Sequence, residues 1–150
     1  TPSKPPDCAQ TIAITLFYNE SSGGPPDLSQ TFTENLREYY QRNTKLEVIR
    51  DPLEADLILE GSITGYFVQP VAPVANGNLG ETAAQQKLVI DVSASYMNSC
   101  DDNDNFDGNK FSAFALFDAD QSLTDVEVEI VDEISEQLIL KIFTKTFDSW

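Results

Sequence analysis

The sequence predicts an α+β domain: a two-layer sandwich with two helices packed on one face of a four-stranded, mainly antiparallel sheet. The expected order is β-α-β-β-β-α, with room for one extra short strand. Three observations lead there. Between 122 and 147, Val126, Ile130, Ile134, Leu138 and Ile142 recur every fourth residue, and Val131, Ile139 and Phe143 widen that stripe into a face broad enough to need a sheet beneath it. Between 86 and 98, Leu88, Ile90, Val92, Ala94 and Tyr96 alternate with Val89, Asp91, Ser93, Ser95 and Met97, the pattern of a strand with one face in the core and the other largely wet. Leu28, Phe32, Leu36 and Tyr40 form a second helical stripe with Tyr39 beside it, and the strands fall between the two helices.

Taken in order, residues 1–10 open with Thr-Pro-Ser-Lys-Pro-Pro-Asp and read as an N-terminal tether, leaving 11–150 as a single domain. Ile12, Ile14 and Leu16 alternate with Ala13 and Thr15, a strand over 11–18. Ser-Ser-Gly-Gly-Pro-Pro then forces a loop, and Asp27 with Gln30 three residues on offers a capping-box start to the first helix. A short strand is expected over 45–50, closed by Asp51-Pro52. A longer one over 55–67 turns Leu57, Leu59, Ile63 and Phe67 to one side, with Gly61 and Gly65 marking a bulge or a close backbone approach. The stretch 70–80, rich in proline, glycine and asparagine, reads as a loop. The strand over 86–98 follows, residues 101–109 turn the chain, and 111–117 returns as the last strand. In the closing helix Asp125, Glu127, Glu129, Asp132, Glu133 and Glu136 precede Lys141 and Lys145, so both ends complement the helix dipole, and Ser122 or Thr124 can cap it.

Composition excludes more than it assigns. Twenty-five acidic residues against nine basic ones give a net charge of −16, which repels phosphate backbones and argues against nucleic acid as a partner. Histidine is absent, which removes Ser/His/Asp and Cys/His catalysis and histidine-based zinc sites. There is no phosphate-binding glycine loop, no nucleophile elbow and no dinucleotide fingerprint, so the sequence carries no recognisable catalytic machinery and no cofactor is expected, while its many carboxylates leave general acid and base work by a pair of them open. No apolar run reaches the roughly 20 residues of a membrane span, and no signal peptide begins at Thr1.

Two local features invite a site. The acidic run Asp101-Asp102-Asn103-Asp104-Asn105-Phe106-Asp107-Gly108 makes Asp102, Asp104 and Asp107 weak calcium candidates. The loop register fails, however, because Phe114 stands where a bidentate glutamate belongs, and a hydrated hairpin tip accounts for the run. Cys8 and Cys100 each lie beside an expected strand end and are candidates for a disulfide in an oxidising compartment, the alternative being two unrelated buried thiols. Cys8 follows Lys-Pro-Pro-Asp, which is not the small, apolar context of a lipidation site.

Several words in the sequence, in order, resemble the LPS-assembly lipoprotein family, LptE, in a branch distant from the enteric form. They are Leu28-Ser-Gln-Thr-Phe-Thr-Glu-Asn-Leu36, Leu59-Glu-Gly-Ser-Ile-Thr-Gly-Tyr66, the segment from Pro73 through Glu81-Thr-Ala-Ala84, Gln121-Ser-Leu-Thr-Asp-Val-Glu127, Glu136-Gln-Leu138, and Lys145-Thr-Phe-Asp-Ser-Trp150. The resemblance implies a non-enzymatic periplasmic domain, held to the outer membrane by an N-terminal lipid carried on a cysteine outside this chain. It also implies a partner, the β-barrel translocon LptD, which the domain plugs and supports during lipopolysaccharide transport and outer-membrane assembly. Direct contact with lipopolysaccharide would fall to the basic residues near the expected strands, Lys45, Arg50, Lys87 and Lys110, which the sequence scatters. The alternative on fold alone is a stand-alone periplasmic module that binds a ligand or calcium without a barrel partner.

Overall fold

The computed structural model describes residues 9–71, 84–100 and 104–147. Its elements follow as β1 (Thr11–Ile14), β2 (Tyr18–Asn19), α1 (Leu28–Asn43), β3 (Glu47–Ile49), a 3-10 turn (Pro52–Glu54), β4 (Leu57–Val71), β5 (Gln85–Asn98), β6 (Phe106–Asp118) and α2 (Leu123–Phe147). The sheet runs β3-β1-β4-β5-β6, with β2 pairing farther along β4. Two helices and one sheet bear out the α+β class. The sheet is more elaborate than the four strands, with room for one more, that were expected: among the described residues six strands form a mixed sheet in which most pairing is antiparallel, while β1 pairs in parallel with both β3 and β4, and β2 is also parallel to β4. Only β4, β5 and β6 make an antiparallel meander.

Parallel pairing at β1 follows from the connection it feeds. The chain leaves β1, adds the short β2, passes through α1 and re-enters the sheet at β3 alongside β1, the kind of crossover that a parallel neighbour needs. The expected strand over 11–18 is broken in two. Ile14 opposes Leu59 and Tyr18 opposes Ser62, so the first segment spends one residue more than β4 over that interval and the chain swells out of the ladder between them.

Both helices press on the face formed by Ile12, Ile14, Leu57, Leu59, Ile63, Leu88, Ile90, Val92, Ala94 and Tyr96, all buried. From α1 come Leu28, Phe32, Leu36 and Tyr40, and from α2 Ile130, Ile134, Leu138, Ile142, Phe143 and Phe147. An aromatic cluster closes the layer: the Tyr40 ring lies 5.0 Å from Phe143 and 5.5 Å from Phe147, and Phe147 reaches Tyr96 at 6.4 Å. The Tyr40 hydroxyl shares a 2.7 Å hydrogen bond with Thr146, and burial raises its pKa above the ordinary tyrosine value.

Two bulges decide which side chains face the core. In β4 the register slips between Ile63 and Gly65, so Thr64 is extra and everything beyond it changes sides. Phe67, expected with Leu57, Leu59 and Ile63, therefore lies on the opposite face, beside Val89, and is 39% exposed. Gly65 sits at that slip and Gly61 where β5 comes close, which bears out the reading of both glycines. A second slip, between Ala94 and Tyr96 of β5, places the extra residue in β6 at Asp107-Gly108, with Gly108 at φ 62°. The Ser95 hydroxyl donates to Asp107 at 2.9 Å and accepts from the Gly108 N–H at 2.9 Å, which pins the bulge. The last strand consequently starts at Phe106 rather than at 111. Asp27 precedes α1 but makes no side-chain capping bond, so the expected capping box is absent, and Gln30 instead donates to Glu34.

Candidate functional site

The break between β1 and β2 exposes backbone groups that no strand satisfies, and α1 supplies their partners from a polar ridge. Ser29, Thr33 and Arg37 recur every fourth residue, each directly after a core residue of the same helix, Leu28, Phe32 and Leu36. Ser29 Oγ donates to the Phe17 carbonyl at 2.5 Å, and Thr33 Oγ1 accepts from the Phe17 N–H at 2.9 Å while donating to the Ser29 carbonyl at 2.8 Å. Arg37 places Nε and Nη2 on the Ile14 carbonyl at 2.9 and 2.7 Å. This polar helix ridge is thus the clamp that holds the swollen segment.

Beside the clamp lies a recess of about 390 Å³ lined by Leu16, Pro26, Asp27, Ser29, Gln30, Glu34, Arg37 and Arg50. Two guanidinium groups share it. Burial, and then the positive charge of Arg50, pull Arg37 below the usual arginine value, while Glu34 opposes them. In a chain of net charge −16, two neighbouring arginines make an unusual spot. Arg50 was expected as a lipopolysaccharide contact and Arg37 was not. Only the ridge spacing of Ser29, Thr33 and Arg37 could have signalled its place.

The other basic candidates separate into two groups. Lys45 and Arg50 are exposed on either side of the three-residue edge strand β3. Lys87 and Lys110 both stand on the sheet face that the helices leave open, Lys87 opposite Leu116 and Lys110 opposite Ser93. That face also carries a row across three strands, Phe67, Val89 and Phe114, with Leu116 next to it; Phe114 is 48% and Leu116 46% exposed. Lys87 Nζ sits 4.7 Å from the centre of the Phe114 ring, a cation–π contact that draws the charge over the apolar row. The structure therefore gathers no cluster from all four cations.

Of the calcium candidates, Asp102 lies outside the described residues. Asp104 accepts from Asn98 Nδ2 at 3.2 Å, and Asp107 accepts from Ser95. No group of three metal-ligating side chains occurs among the described residues. Cys100 is disulfide-bonded, and Cys8 lies outside the described residues. Among the described residues no helix is long and apolar enough to cross a membrane.

Comparison with known structures shows the same fold in proteins of very different sequence. The hypothetical protein CT253 from Chlamydia trachomatis superposes with a TM-score of 0.56 at 12% identity, covering 92% of this chain and 98% of that one. A PelC dodecamer subunit from Paraburkholderia phytofirmans gives 0.52 at 9% identity, over 98% and 96%. The rare lipoprotein B from Shewanella oneidensis gives 0.51 at 12% identity, over 91% and 90%. No curated protein matches the sequence. Residues 9–146 match the family described as LptE: Lipopolysaccharide-assembly, a span that takes in every strand and nearly all of both helices, and the chain accordingly belongs to the LptE family.

Proposed function

We propose that this domain is the periplasmic part of an outer-membrane lipoprotein that plugs and supports the LptD β-barrel during lipopolysaccharide transport, without enzymatic activity of its own. The reading rests on one observation above all, the family match over residues 9–146. The one-sided architecture supports it. A sheet with helices on a single face keeps its other face free for a partner, and here that face carries Phe67, Phe114 and Leu116 among polar neighbours. An acidic domain also suits the polar lumen of a large barrel where that lumen is basic. The attachment that goes with this reading is an N-terminal lipid carried outside this chain, on the periplasmic side of the outer membrane.

Lipopolysaccharide contact, in this proposal, divides between the Arg37–Arg50 recess, with Lys45 nearby along the chain, and the open face at Lys87 and Lys110. Phosphates would pair with the cations, and acyl chains with the Phe67–Val89–Phe114 row. Detergent extraction of the tagged full-length protein tests the main claim. Co-purification of a large outer-membrane barrel is expected, and recovery as a lone monomer under conditions that preserve other barrel complexes would overturn it. Titration with lipopolysaccharide micelles separates the second claim: Arg50→Glu and Lys87→Glu should each weaken binding, and equal binding by both variants removes these residues from the contact.

A further inference from the structure

Among the described residues strand β6 is a sheet edge of 13 residues, far longer than β3 at the other edge, and long unpaired edges recruit other strands. Its odd-numbered side is already used: the Ala119 N–H continues the ladder onto the Ala84 carbonyl, so the backbone groups of the even-numbered residues face away from β5. Two side chains of α2, four residues apart, reach around to that outward row. Gln137 Nε2 donates to the Phe114 carbonyl at 3.2 Å, and Lys141 Nζ donates to the Ser112 carbonyl at 2.5 Å. They occupy neighbouring outward acceptors at the middle of the strand, where an added strand would begin to zip.

The strand they cover is complementary to itself. Antiparallel pairing of two copies about a two-fold axis at Phe114 sets Phe114 against Phe114, Ser112 against Leu116, and Lys110 against Asp118 twice over. All of these lie in the outward-bonding register that the α2 contacts reveal. We infer that Gln137 and Lys141 form a latch on the β6 edge that withholds a self-complementary strand from a second copy of this chain. The consequence for partner choice is direct: with the latch closed, contacts are steered to the sheet face and the loops rather than to strand addition.

The experiment compares the wild-type domain with the double variant Gln137→Ala, Lys141→Ala, by light scattering after size exclusion and by oxidative cross-linking through an added Phe114→Cys. Wild type should stay monomeric, while the double variant should dimerise and cross-link through position 114. Adding Lys110→Asp should weaken that dimer by roughly tenfold, and Lys110→Asp with Asp118→Lys should restore it. If the double variant loses its native circular dichroism, Lys141→Met alone decides the point through hydrogen exchange at the Ser112, Phe114 and Leu116 amides. Slowing with rising protein concentration supports the latch, and concentration-independent exchange overturns it. A double variant that stays folded and monomeric, or a Phe114→Cys variant with Gln137 and Lys141 intact that already cross-links, likewise overturns it.

Discussion

Replacing Gly61 tests how β4 and β5 are registered. A Cβ built there would stand 2.2 Å from the Ser93 carbonyl oxygen, 2.7 Å from Cε2 of Phe17 and 3.0 Å from the Ala94 Cα. Two of those three atoms are backbone of the neighbouring strand, so no rotamer change can make room. Either β5 moves or the ladder opens at Gly61–Ala94. The third atom belongs to Phe17, fully buried and held by the Ser29 and Thr33 bonds to its backbone, so the disturbance passes into the clamp on the strand break. Overpacking in a close-packed core costs about 1–3 kcal/mol, and a contact with immobile backbone belongs at the upper end, about 3 kcal/mol for Gly61→Ala and more for Gly61→Val. For a domain of this size that is a fall in melting temperature of roughly 10 °C.

Urea and thermal denaturation followed by circular dichroism would measure the loss, and two further glycines supply the scale. At Gly65 the nearest atom is Asp91 Oδ2 at 2.9 Å, the end of a side chain that can swing away, so Gly65→Ala should cost less than Gly61→Ala. Gly108 has nothing within 4 Å but φ 62°, so Gly108→Ala carries only the left-handed backbone penalty, about 1 kcal/mol. A Gly61→Ala variant within about 0.5 kcal/mol of wild type, or one less affected than Gly108→Ala, would mean that β4 and β5 do not approach as described.

Three other outcomes follow from individual polar groups. The Tyr96 hydroxyl is buried with no hydrogen-bond partner among the described residues, so Tyr96→Phe removes an uncompensated desolvation and should leave stability unchanged or raise it by about 1 kcal/mol; a loss above that in urea melts would reveal a missing partner. Thr33→Val keeps the shape but takes the acceptor from the buried Phe17 N–H, and should cost about 1–3 kcal/mol by the same assay, with no loss counting against the clamp. Asp56 accepts from the Gln10 N–H at 2.8 Å and, more weakly, from the Thr11 N–H and hydroxyl, and these bonds hold its carboxyl below the usual value. Its stabilising contribution is therefore full above the unfolded value near 4 and is lost as pH falls through the lower folded one. The stability gap between wild type and Asp56→Asn should accordingly be constant near neutrality and close in acid; a gap independent of pH down to full acid unfolding would remove Asp56 from the account.

Much of the fold was legible because it depends on periodicity. The stripe from Ile130 to Phe143 went to the core as read, and the alternation in β5 gave the correct inner and outer faces. Strand direction was not legible, since the alternation of Ile12 and Ile14 is the same whether the neighbour is parallel or antiparallel. The order of elements held the clue: a helix between β1 and its neighbour β3 supplies the crossover that a parallel pair needs. Phe67 was assigned to the wrong face for a reason of register. One extra residue at Thr64 reverses every side chain after it, and although Gly65 pointed to a bulge, a glycine does not say on which side of it the count is lost.

The candidate site was the least legible part, and its geometry explains why. Lys45, Arg50, Lys87 and Lys110 were grouped because they are basic and near strands, yet β3 and the β5–β6 pair occupy opposite ends of the sheet order, so charge alone could not foretell that Arg50 would meet Arg37. Arg37 is set by two independent constraints, the ridge that brings Ser29 and Thr33 onto Phe17 and the Ile14 carbonyl that the strand break leaves for a side chain to satisfy. Either alone would leave it a surface arginine. Acting together they fix one edge of its guanidinium on the backbone, and a cation already held in place loses less side-chain freedom when it meets an anion than a lysine free in solvent does. The break in the first strand is thus what holds Arg37 in place on the backbone.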